Sequence, residues 1–332
     1  MSDLGRMAAV FGCAGPVLLP EEQAFFRDTD PFGFIVFARN VENPDQLRRL
    51  TGDLRASVGR NAVIMVDQEG GRVQRLRSPH WHDWTPPLDA ALAAGLGAAR
   101  ALGLRAMIIA EELRAVGIDA NCAPVADIAG PETHPFLRNR CYGETPEVVT
   151  EIARAVADGY LSRGVLPVMK HLPGHGRATA DTHHILPTVT ADRASLMAHD
   201  FAPFKALADL PMAMTAHIIF SAYDSLPATQ SPTMIRVIRE EIGFQGLLLT
   251  DDLNMQALSG DLAERTRKSM TAGCDIALNC HGVMAEMQDV AREAGDMSAA
   301  TRARAQAALD RRVAQGAVDI KDLLADLAAS GC

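Results

Sequence analysis

Eight short apolar runs recur along the chain, at 8–14, 34–38, 62–66, 118–126, 166–169, 211–219, 246–250 and 275–279, with helical patterns between most of them. Runs that stay apolar at consecutive positions describe strands covered on both faces. Covered strands joined by helices form a parallel sheet. Eight of them predict an α/β fold, a (β/α)8 barrel, as a single domain over residues 1–332 with two amphipathic helices from about 298 onward. A doubly wound open sheet is the alternative arrangement. The helix punctuation is clear in places. Asn43-Pro44 supplies an N-cap and a proline at the first helical position, Leu47, Leu50, Leu54 and Val58 share one face, and Gly59 stops the helix. Thr145-Pro146 and Ser231-Pro232 repeat the device, and a long alanine-rich helix ends at Gly117.

In a barrel, catalytic groups collect where strands end at their C-termini. Those exits are polar here: Arg39-Asn40 after the second run, Asp67 and Glu69 after the third, Lys170-His171 after the fifth, Asp251-Asp252 after the seventh, with His217 inside the sixth. Each has a plain reading too. Asp67-Gln68-Glu69-Gly70-Gly71 alone is a glycine turn or a phosphate cradle. One carboxylate of Asp251-Asp252 alone could be an N-cap, His217 a hydrogen-bonded barrel residue, and Arg138 and Arg140 solvated loop charges. Together they predict a polar small-molecule site.

The stretch from Lys170 to His184, KHLPGHGRATADTHH, holds four of the ten histidines. Pro173-Gly174 interrupts any helix between His171 and His175, so the two cannot share the helical face that a zinc motif needs. His183 and His184 are adjacent and their side chains diverge. No metal and no organic cofactor are expected. With a net charge of −9 and a pI near 5.6, neither a nucleic acid nor an anionic membrane is an expected partner. No apolar stretch is expected to reach the roughly 20 residues of a membrane helix. The N-terminus lacks the pattern of a signal peptide, and six irregularly spaced cysteines suggest reduced thiols, so the expected location is the cytoplasm. Cys122, Cys274 and Cys280 read as small core residues.

Three separated motifs, in order, resemble those of the bacterial family 3 glycoside hydrolases. KHLPGHGRATADTHH is similar to that family's histidine-rich loop, GLLLTDDLNM (246–255) to its nucleophile signature, and Asp67 to Arg75 to its sugar-binding segment. Leu172, Thr182 and Asn254 depart mildly from the usual residues. The chain ends soon after the barrel, without the second domain of many relatives. The resemblance implies a β-N-acetylglucosaminidase of peptidoglycan recycling that removes N-acetylglucosamine from anhydro-muropeptides. It makes Asp251 the nucleophile and His183 the general acid/base paired with Asp181. Asp67, Arg75, Arg140, Lys170 and His171 then bind the sugar, and Asp252 has a structural role. A retaining glycosidase needs a carboxylate on one face of the anomeric carbon and a proton donor on the other. Imidazole, titrating near neutrality, suits the second task. Open alternatives are a family 3 β-glucosidase, a metal-dependent barrel hydrolase and a non-catalytic sugar-binding barrel.

Overall fold

The computed structural model describes residues 4–178, 186–313, 316 and 318–329. Eight parallel strands close into a barrel: β1 Met7–Gly12, β2 Pro31–Val36, β3 Val63–Val66, β4 Ala120–Asn121, β5 Leu166–Leu172, β6 Met212–Thr215, β7 Leu247–Asp252 and β8 Ile276–Asn279. Each pairs with its neighbours in the chain, and β8 pairs with β1 to close the ring. The open-sheet alternative is therefore excluded.

The strands look fully apolar in sequence because both faces are buried, yet they alternate in space. On β3, Val63 and Met65 join the cluster inside the barrel, while Ile64 and Val66 pack outward against the helices. On β7, Leu247 and Leu249 point in and Leu248 points out. Side chains on a strand change face at every residue. The next inward positions above these apolar layers are Asp67 just past β3, Lys170 on β5 after Leu166 and Val168, and Asp251 on β7. The barrel is filled with hydrocarbon to that level and becomes charged at its mouth.

The opposite end is closed by two carboxylates, Asp275 buried and Asp119 partly buried. Asp119, before β4, accepts from Ile64 N–H at 2.8 Å, Arg55 at 2.9 Å and Arg312 at 2.8 Å. Asp275, before β8, accepts from Leu248 N–H at 3.0 Å, Arg239 at 2.7 Å and Arg304 at 2.9 Å. Each ties a neighbouring strand to a helix or to the chain after one. The helix Ala299–Leu309 places Ala305, Ala308 and Leu309 against the barrel interior, and Ile320–Ala329 follows it.

Several boundaries differ from expectation. β4 is short, because 122–126 leaves the regular ladder. β5 runs through Lys170, His171 and Leu172 instead of stopping at Met169. β6 ends at Thr215, so His217 lies beyond it. The alanine-rich helix is broken into Pro87–Ala94 and Ala98–Arg114 by a turn at Gly95–Gly97. That segment, Pro87–Arg114, also corrects the membrane expectation: it contains an 18-residue window of mean hydropathy 1.5, long and apolar enough by composition to cross a bilayer. In the fold it serves as a barrel helix, with Leu102, Ile109 and Leu113 buried in the core against Pro146–Ser162. Among the described residues five cysteines are free and buried, Cys122, Cys274 and Cys280 with them.

β2 and β3 approach closely at Gly33. A Cβ there would press on Val63 Cγ1 and lie 2.7 Å from the Val63 carbonyl oxygen. Gly33→Ala is expected to cost about 1–3 kcal/mol, since overpacking between strands has no room to relax. A lowered urea midpoint checks this.

Candidate active site

The segment after β3 does not form a simple glycine turn. Gln68–Gly70 and Val73–Gln74 pair as a small antiparallel hairpin laid over the strand ends. Gln68 holds it together: its side-chain oxygen accepts from the N–H groups of Arg75 at 2.9 Å and Leu76 at 3.0 Å. Its own N–H donates to Asn121 at 2.9 Å. Gly70 has φ +114°, and a Cβ there would collide with the Arg105 guanidinium, which donates to the Glu69 carbonyl at 2.6 Å. The hairpin therefore turns Asp67 and Glu69 toward β5.

There they meet the inward lysine. Lys170 Nζ lies 2.8 Å from Asp67 Oδ1 and 2.7 Å from Glu69 Oε1. Arg75 approaches Asp67 Oδ2 at 2.9 Å. Arg140 makes a bidentate pair with Glu69, at 2.9 and 2.8 Å. Burial would raise both carboxyls, but the cations outweigh it: Lys170 and Arg75 hold Asp67 well below the usual range, and Arg140 and Lys170 bring Glu69 to about 2. His171, next on β5, is bonded through Nδ1 to Asp127 Oδ2 at 2.7 Å. Its Nε2 lies 3.5 Å from the Arg140 guanidinium. The His175 ring meets the His171 ring edge to face at 5.4 Å, and burial, with His171 beside it, lowers His175 to about 4.

Asp251 stands across the mouth on β7. Burial would raise its carboxyl too, but the fields of His171 and His217 and the Asp252 N–H, which donates to Oδ1 at 2.8 Å, hold it below the usual range. Among the described residues no arginine or lysine pairs with it. An ionised carboxylate left without a strong partner keeps its lone pairs for an incoming atom. Asp252 accepts from the N–H groups of Asn254 and Cys280, both at 3.2 Å, and burial and the charge of Asp251 push it up. His217 is a bonded barrel residue, 2.8 Å from the Thr229 hydroxyl and 3.1 Å from the Asp252 carbonyl.

Asp67, Arg75, Arg140, Lys170, His171 and Asp251 line one cavity of about 130 Å³, walled by Phe37, Phe136, Met214 and Met255. Charged groups and apolar walls thus meet in one concave space, a lining suited to a small polar ligand. Asp181 and His183 lie outside the described residues. Arg39 and Asn40 do not join the site: Arg39 Nε and Asn40 Nδ2 donate to the Cys13 carbonyl at 3.0 and 3.1 Å and tie the tops of β1 and β2. Sequence reasoning overlooked Glu69 as a partner of Arg140, and Asp127 and the two phenylalanines altogether. Glu69 carried a signal, since an acidic residue two after Asp67 can return to the same side. Among the described residues no group of three or more His, Cys, Asp or Glu side chains is placed to hold a metal ion.

Glu69 holds two buried cations, so Glu69→Gln is expected to cost about 3–5 kcal/mol at pH 7. Its carboxyl is depressed in the folded state, so its stabilisation is present above the ordinary 4.5 and is lost as pH falls toward 2. The difference between wild type and variant in urea midpoint should therefore narrow over that range.

The sequence pattern of the glycosyl hydrolase family 3 N-terminal domain matches residues 20–315. A beta-hexosaminidase of Methylococcus capsulatus is 39% identical over 282 residues, covering 82% of this chain and 82% of that protein. One of Stenotrophomonas maltophilia is 35% identical over 327 residues, covering 96% and 94%. In three dimensions the chain is similar to NagZ of Neisseria gonorrhoeae, at 28% identity and a TM-score of 0.82 over 100% of both chains. That protein has also been solved in complex with N-trifluoroacetyl-D-glucosamine.

Proposed function

The chain belongs to glycosyl hydrolase family 3 and is a glycoside hydrolase; from that premise we propose that it is a retaining exo-β-N-acetylglucosaminidase acting by double displacement. The observation that carries this reading is Asp251: an ionised carboxylate at a strand end, unpaired by arginine or lysine among the described residues, facing a floor of hydroxyl-binding charges. An Asp251 oxygen attacks the anomeric carbon while the bond to the leaving oxygen breaks, giving a glycosyl ester. Water then attacks the same carbon and releases the sugar with its original β configuration. Two inversions give net retention.

The first step needs a proton for the leaving oxygen. Asp67, Glu69 and Asp127 are held ionised by their partners, and His175 is held neutral, so none is suited to donate one near pH 7. The donor in this reading is His183, with Asp181 steadying its charged form. In the second step His183 takes the proton from water. The aspartate, on a strand, is fixed for attack on carbon. Asp67, Lys170, Arg140, Arg75 and His171 orient the sugar hydroxyls and N-acetyl group. No metal or cofactor enters the scheme. The names of the relatives and the N-acylated glucosamine bound by the gonococcal protein support the N-acetylglucosamine preference. In this reading the substrate is an N-acetylglucosaminyl anhydro-muropeptide of cell-wall recycling, handled in the cytoplasm, and the resemblance of the three motifs supports it.

Asp251→Ala is expected to lose at least about 1,000-fold in kcat on nitrophenyl β-N-acetylglucosaminide. The wild type should prefer that substrate to the matching β-glucoside and release the β-anomer first by NMR. Retention of most activity in the variant would remove the nucleophile assignment, and a first-formed α-anomer would remove the retaining scheme. His183→Ala should harm substrates with poor leaving groups roughly 10²–10⁴-fold and activated aryl glycosides far less; equal losses across a leaving-group series would count against the acid role.

A further inference from the structure

Asp127 follows β4, where the chain still runs beside β5. Lys170 N–H donates to the Pro124 carbonyl at 3.0 Å, and Ala126 N–H donates to the Lys170 carbonyl at 2.8 Å. This carries Asp127 directly behind His171, where it is fully buried. Its carboxylate contacts the His171 ring at Nδ1 at 2.7 Å and accepts the His175 N–H at 2.6 Å, with a longer contact from the His171 N–H at 3.3 Å. Among the described residues no arginine or lysine bonds to it. A buried carboxylate only accepts, and leaving it unsatisfied is costly. A bare Nδ1 at 2.7 Å would oppose lone pair to lone pair. The other ring nitrogen faces Arg140, which can only donate.

We propose that Asp127 is a positioning residue of the sugar site: it keeps the His171 proton on Nδ1 and presents the Nε2 lone pair to a substrate hydroxyl. The assignment rests on the glycosidase reading only for what fills the pocket. The carboxylate acts through the histidine and does not touch the sugar. By accepting from the His175 N–H as well, it also fixes where the chain stands after the Pro173-Gly174 break. Replacement by asparagine preserves an acceptor for the His175 N–H but turns an amide N–H toward Nδ1. The ring must then carry its proton on Nε2, against the Arg140 donor and in place of the acceptor offered to the hydroxyl.

Long-range ¹H–¹⁵N correlation of the histidine rings of the intact protein at pH 8, without ligand, tests the first half directly. The His171 signal is identified by its loss in His171→Gln. A protonated Nδ1 and a bare Nε2 are expected, and the reverse pattern overturns the proposal even if no Asp127 variant folds. Kinetics on nitrophenyl β-N-acetylglucosaminide test the second half. Asp127→Asn and His171→Gln should each lower kcat/KM by roughly 10- to 100-fold, the scale of one hydrogen bond to a charged or buried partner. Their double variant should be no worse than His171→Gln, because both remove one interaction. Losses that multiply, or an Asp127→Asn enzyme with wild-type kcat/KM, overturn it. The ring measurement uses no substrate, so it stands apart from the glycosidase reading, which the wild-type assay decides.

Discussion

The site depends on a buried ionic lattice at the barrel mouth. Lys170 is 2% exposed, and an ammonium so placed carries a desolvation cost of several kcal/mol. It is tolerable because two carboxylates, Asp67 and Glu69, lie within 2.8 Å of it. Each of them has a second cation, Arg75 and Arg140. Signs alternate through the group, so removing any one member strands a charge on its neighbour. That mutual dependence fixes five side chains in one arrangement before a ligand arrives. Little reorganisation is then left to oppose sugar binding.

The lattice stops short of Asp251, and that gap has chemical value. A carboxylate locked to arginine is stable but a poor nucleophile. Asp251 instead has the more distant fields of two histidines and one backbone N–H, enough to keep it ionised and not enough to occupy it. Strand order alone does not produce the contrast, since β3 and β7 are each separated from β5 by one strand. Lys170 Nζ turns to Asp67 and Glu69, and only its more distant field reaches Asp251.

Legibility in the sequence followed strand parity. Asp67, Lys170 and Asp251 each continue an inward apolar series, so their direction was implicit in spacing. Glu69 was harder, because DQEGG reads locally as a turn and only the hairpin, braced by Gln68 and Arg105, returns its carboxylate to Lys170. Asp127 left no local signal at all: it sits one residue beyond an apolar run and becomes meaningful only beside His171, 44 positions away. Arg39 shows the opposite error. A polar strand exit looked like a ligand, yet its guanidinium turns to backbone carbonyls at the seam between β1, β2 and β8.

The sequence by itself determined eight covered strands joined by helices, the strands that carry the charges and the faces on which those charges lie, while closure of the ring belongs to the tertiary structure. Periodicity and the alternation of side chains along a strand are local properties of the chain. Tertiary structure decided which charge meets which, because pairings such as Glu69–Arg140 and Asp127–His171 arise between segments far apart in sequence. Those pairings hold Asp67, Glu69 and Asp127 ionised. Burial alone would raise each of them, and only the neighbours brought in by the fold separate an ion-paired carboxylate such as Asp67 from one such as Asp251 that no arginine or lysine occupies among the described residues.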